Sequence, residues 1–245
     1  MAVKCEYHDN FLTAQAAAAG ALDREAQPCL FDRLDWLESL HRTALREKTP
    51  ALLQACGGDA QGWLPLMQTE SGHLVALANW YNFTWRPIFA NAESEVERMA
   101  LLRLLAKQAK SHARRLTLSP VPDEEGSASA VEAAFRTAGW SVFREVCDQN
   151  HILEVKGRSL DAYWETRPSR LKNTVKRKGK TGAVTIRIDS EYDAESWRDY
   201  ERVYARSWKP EEGSPEFLRQ IAERESVAGA PPPGPARIAG PPGTA

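Results

Sequence analysis

No two cysteines in this chain have the spacing of a metal knuckle or a redox pair. Cys5, Cys29, Cys56 and Cys147 stand far apart without a C-x-x-C motif, which excludes a zinc finger and a dense disulfide framework and fits a reducing cytoplasm. The five histidines are isolated, so neither a metal site nor a histidine-based triad is built; His41 and His112 read as helix-surface residues. A Gly-x-Ser-x-Gly elbow is also missing, and nucleophilic catalysis with it. No stretch approaches the roughly 18 consecutive apolar residues of a membrane span. The alanine-rich run Leu12–Leu22 follows Glu6 and Asp9 in place of a basic region, so it is no signal core. A formal charge of -1 names no partner. What is present is a chain of 245 residues, 42% hydrophobic and 27% charged, enough for one or two globular domains.

Residues 1–29 carry little pattern and read as a lead-in. From Phe31 to Arg46 the apolar positions Phe31, Leu34, Leu37, Leu40 and Leu45 predict an amphipathic helix, closed by Pro50. Short apolar runs over 51–55, 63–69 and 74–79, separated by Gly57-Gly58 and Glu70-Ser71-Gly72, predict an antiparallel meander. Ser94 with Glu97 makes a capping box before a helix over 95–113, and 115–119 alternates as a strand. Ser129 with Glu132 opens a second helix, stopped by Gly139, before two strands at 140–146 and 151–155. The cycle restarts at Ser159, with a helical pattern through Leu160, Tyr163, Trp164, Leu171 and Val175, a strand over 183–188, and helices over 197–208 and 217–225. This order predicts an α/β fold with a mixed sheet flanked by helices.

Several strings carry a family resemblance: Phe31-Asp32-Arg33-Leu34-Asp35-Trp36-Leu37, Trp63-Leu64-Pro65-Leu66, Asn79-Trp80-Tyr81-Asn82, Ala134 to Trp140, and Tyr163 to Thr174. Together with the element order, the chain resembles the GNAT superfamily N-acetyltransferases of the CelD-type, FemAB-like group, over about Phe31 to Ser226. The resemblance implies two tandem GNAT-like domains, the first complete over 30–157 and the second partial over 158–226. It implies acetyl transfer from acetyl-CoA to an amine on a small molecule or glycan, in polysaccharide or cell-envelope biosynthesis, with no metal. An amine attacks the thioester, a backbone amide at a splayed strand steadies the oxyanion, and the CoA pyrophosphate sits at a helix N-terminus after a Gln/Arg-x-x-Gly-x-Gly/Ala loop.

That loop does not occur. Arg177-Lys178-Gly179-Lys180-Thr181-Gly182 has its glycines misplaced, and it fails as a P-loop because Thr174 stands where the partner glycine belongs. Truncation ahead of the CoA-binding half is therefore the expectation, with acetyl-CoA binding and turnover weak or absent. Residues 227–245 are almost all Ala, Gly and Pro; they read as a disordered end, a Pro-rich linker or ligand, or an out-of-frame translation of a GC-rich gene.

Arg167, Arg170, Lys172, Lys176 and Arg177, with Lys178 and Lys180, form the densest basic run, suited to an anionic acceptor or CoA phosphates, or to a solvated helix face. Nucleic acid is the lesser expectation for it. Trp80, Tyr81, Phe83 and Trp85 beside Arg86 line an acceptor cleft or pack in a core strand. Tyr204 and Trp208 share a helical face, Tyr204 being a candidate acid toward the thiolate. The competing class is a non-catalytic module that binds an anionic polymer, polysaccharide or nucleic acid.

Overall fold

The computed structural model describes residues 3–147, 153–154, 156–180, 185–187, 191–207, 214–227 and 237–239. The chain parts into two units, 1–147 and 148–245.

The first unit opens on β1 (Val3–His8), where a lead-in without pattern was expected. Val3, Cys5 and Tyr7 alternate with Lys4, Glu6 and His8, the period of a strand with two unlike faces. In α1 (Phe11–Ala18) the Asn10 side chain caps the start, accepting the Thr13 N–H at 2.9 Å, and left-handed Ala19 and Gly20 end the helix. The helix expected over 31–46 is split into a 3-10 turn at Leu30–Asp32 and α2 (Leu34–Ala44), because Arg33 between them is extended. Pro50, expected to close that helix, lies inside β2 (Thr49–Gly57). The unit is completed by β3 (Ala60–Glu70), β4 (His73–Ala76), β5 (Ile88–Ala90), α3 (Glu95–His112), β6 (Arg115–Thr117) and α4 (Ser127–Thr137).

The sheet runs β1-β2-β3-β4-β6, antiparallel except for the parallel pair β4 and β6 joined through α3. Long β3 holds two neighbours end to end on one edge, β5 against Gln61–Trp63 and β4 against Leu66–Glu70. Both faces of the sheet's centre are covered. Ala51, Leu53, Ala55, Leu64 and Leu66 join Leu101, Leu102 and Leu105 of α3 and Phe135 of α4 in one core. Leu52, Gln54 and Trp63 are buried on the opposite face, where Gln54 and Gln61 donate to the Ala17 and Ala18 carbonyls of α1 at 3.2 and 3.3 Å. Strands buried on both faces lose their alternation, which is why these runs are apolar throughout. A methyl group at Gly62 would lie 3.1 Å from Leu101 Cβ, so the missing side chain lets α3 close on the sheet.

The Ser94–Glu97 capping box forms as expected. The one expected at Ser129–Glu132 does not: α4 starts at Ser127 after Gly126 at φ +77°, and the Asp123 side chain takes the Ser129 N–H at 2.9 Å. Residues 140–146 are irregular where a strand was expected. Their side chains anchor them to the helices, Trp140 Nε1 donating to the Ala106 carbonyl at 2.8 Å and Arg144 bridging to Asp123 at 2.7 Å. Most of the partner strand expected at 151–155 lies outside the described residues.

The second unit contains α5 (Leu160–Glu165), α6 (Ser169–Gly179), β7 (Thr185–Arg187), α7 (Ala194–Tyr204), α8 (Pro215–Val227) and β8 (Arg237–Ala239). Trp197, Phe217, Ile221 and Ala222 are its buried side chains of greatest apolar weight, whereas α5 and α6 bury none. β8 corrects the expectation of a tail without structure, since it pairs antiparallel with β7. It falls in 236–239, a stretch of the tail free of proline and glycine, which keeps the backbone donors a strand needs. The whole is a mixed α/β structure, and no described helix is long and apolar enough to cross a membrane.

Candidate functional site

Parallel β4 and β6 keep register over three pairs, from His73 and Arg115 to Val75 and Thr117. Trp85 occupies the space past them. Its backbone N–H donates to the Pro120 carbonyl at 2.8 Å and its indole Nε1 to the Pro65 carbonyl at 2.8 Å, with the side chain 2% exposed. It therefore fills the edge of β3 between β4 and β5 and ties that edge to the chain beyond β6.

The loop that carries Trp85 displays Trp80 and Phe83, 66% and 79% exposed, with Tyr81 half-buried. Phe83 meets Phe31 edge-on at 5.9 Å between centroids. Asn82 is buried, and both atoms of its amide, together with Asn79 Nδ2 and Thr84 Oγ1, find no hydrogen-bond partner among the described residues. Buried polar groups are otherwise nearly always paired, so this loop is short of partners.

Beside it a cleft of about 590 Å³ opens between Phe89 of β5 and the first turns of α3 and α4. One wall is an ion pair: Arg86 donates from Nε and Nη2 to Asp32 Oδ2 at 3.0 and 2.9 Å, and Glu125 stands 3.5 Å from Nη1. Burial pushes the Asp32 carboxyl above its ordinary range, and the guanidinium opposes that shift. Asp32, Glu95 and Glu125 against Arg86 and Arg98 leave the lining one negative charge in excess.

Helix N-termini attract anions, and α3 and α4 both contribute first-turn residues to this cleft. At each end a carboxylate of the chain takes part in the cap. At α3, Glu97 Oε2 accepts the Ser94 N–H at 3.1 Å while Ser94 Oγ accepts the Glu97 N–H at 3.2 Å. These bonds from Ser94, backbone first and side chain second, hold the Glu97 carboxyl below its usual range. At α4, Asp123 accepts the Ser129 N–H, and its carboxyl is lowered first by Arg144 and then by that amide. A pyrophosphate brought to α3 would also meet Glu93 and Glu95, both exposed.

Sequence reasoning selected Trp80, Tyr81 and Trp85 in this region. The structure puts Trp80 and Tyr81 on the loop, and Trp85 in the core with no open face. The Asp32–Arg86 pair was missed, its members 54 residues apart with no local spacing to mark them.

The remaining candidates belong to the second unit. Arg167 lies over the Tyr163 ring at 4.5 Å, and Arg158 over the same ring at 5.6 Å. Lys172 Nζ donates to the Glu165 carbonyl at 3.2 Å, closing the end of α5. Arg170, Lys176 and Arg177 are exposed on α6. Tyr204 ends α7 against Tyr200, ring centroids 6.0 Å apart, and does not line the pocket of about 320 Å³ beside Trp197 and Glu201. Trp208 lies outside the described residues. Comparison with protein-family models, curated proteins and solved structures finds no match to this chain.

Proposed function

We propose that the chain is a GNAT-type N-acyltransferase of the CelD-type, FemAB-like group, in which the first unit holds the amine acceptor and not acetyl-CoA. The order of elements supports the first part: antiparallel strands, a long helix returning to a parallel strand, then a helix ending at Gly139. The observation that carries the second part is a carboxylate in the cap of each helix end at the cleft, Glu97 at α3 and Asp123 at α4. A CoA pyrophosphate brought to either end would meet that negative charge in place of a bare dipole. Trp85 likewise fills space at the sheet edge that a thioester would need, held there by its bonds to the Pro65 and Pro120 carbonyls. Acetyl-CoA turnover by this chain is accordingly expected to be weak or absent.

The cleft suits the other substrate. Its lining, one negative charge in excess with Glu95 and Glu125 among its carboxylates, attracts an ammonium group. Ligands that bind only the folded state raise its melting temperature. Thermal shifts with glucosamine, lysine and spermidine are the test: at least one is expected to stabilise the chain, and the Glu95→Gln/Glu125→Gln variant is expected to lose that shift. No shift with any of the three would overturn the acceptor assignment.

A second reading, a module for an anionic polymer, rests on α6. From Thr166 to Ile188 the sequence has Arg167, Arg170, Lys172, Lys176, Arg177, Lys178, Lys180 and Arg187 and no acidic residue. The helix that carries most of them buries no side chain.

A further inference from the structure

β1 is the edge of the six-stranded sheet: β2 lies on one side, and no described strand lies on the other. An edge presents a row of backbone N–H and C=O groups, a template for another strand; a proline or a bulge blunts it, as do charges of one sign, whereas Lys4 and Glu6 are of opposite sign. β1 has neither proline nor bulge. It pairs regularly with β2 over six residues, from Val3 opposite Gly57 to His8 opposite Leu52.

The strand is also its own complement. Read antiparallel about Cys5, Lys4 of one copy stands opposite Glu6 of the other, Val3 opposite Tyr7, and Cys5 opposite Cys5. On one face Lys4 and Glu6, already bridged within the chain, become an alternating cluster of four charges. On the other face, Val3 is 54% exposed and Cys5 is exposed, while Tyr7 stacks on His112 at 4.3 Å between ring centroids. Pairing would continue that stripe across the axis. Register is specified as well, because a slip by two positions sets Lys4 against Lys4 or Glu6 against Glu6, and a slip by one exchanges the faces.

We propose that the chain forms a two-fold homodimer by antiparallel pairing of β1 with β1 of a second copy, joining the two sheets into one. The interface is isologous, each copy giving the same strand.

Light scattering on the full chain across a concentration series tests this. The wild type is expected to dimerise. Lys4→Glu, which places Glu against Glu twice, is expected to weaken the dimer by roughly tenfold or more. The double exchange Lys4→Glu/Glu6→Lys restores both opposite pairs and is expected to recover the wild-type dissociation constant. Directly opposed residues of an antiparallel pair have Cα atoms about 4.5–5.5 Å apart, within disulfide range. Mild oxidation should therefore give a covalent dimer linked through Cys5 and absent in Cys5→Ser. A monomer at every concentration, a dimer indifferent to Lys4→Glu, or an oxidised dimer that survives Cys5→Ser would overturn the proposal.

Discussion

Asp32 and Arg86 show what a single residue contributes here, and their contribution depends on pH. The Asp32 side chain is 7% exposed, and the guanidinium that balances it is itself one-third exposed. In Arg86→Ala the carboxyl stays buried without its partner, and its folded pKa, already raised by burial, rises further. A group raised in this way favours the fold below its unfolded value and loses that contribution as pH rises through its folded value. The variant is thus expected to be close to wild type near pH ~4 and less stable by about 2–3 kcal/mol at neutral pH, the exposure of Arg86 reducing the usual cost of breaking a buried pair. Urea unfolding at both values checks it. An equal deficit at both would mean that Arg86 acts through packing alone. Nothing local in the sequence marks this pair, since Asp32 lies in a 3-10 turn and Arg86 follows a loop.

Among elements, legibility follows the strength of local signals. α3 was readable from its capping box, and β2 and β3 from their apolar runs between glycine turns. β1 had a signal as well, the alternation from Val3 to His8, hidden by its position ahead of an alanine-rich stretch. β5 has only three residues and owes its place to β3, so no period could reveal it. At 140–146 Trp140 and Val142 pack on the core and Trp140 bonds to α3, while Phe143 and Val146 are exposed, so the apolar pattern that suggested a strand marks two anchors only. The basic run was legible as charge, and α6 presents it on a helix that buries nothing. The polymer reading predicts retention of the full chain on heparin, eluted by salt as phosphate-like contacts are screened. The Arg170→Glu/Lys176→Glu/Arg177→Glu variant should elute earlier, and retention indifferent to those changes would remove the reading.

At the scale of the whole molecule, the sequence conveyed the succession of helices and strands and, with it, the α/β class. It did not convey where ligand can enter, because that depends on groups meeting across the fold. The cleft beside Asp32 and Arg86 is bounded by two helix ends, and a carboxylate of the chain takes part in the cap of each. This capping, with Trp85 filling the edge of β3, is expected to leave the first unit no place for acetyl-CoA. Equilibrium dialysis of labelled acetyl-CoA against the purified chain tests it most directly. Equal label on both sides of the membrane is predicted; label held on the protein, displaced by unlabelled CoA and weakened by substitutions at Arg86 or Arg98, would contradict it.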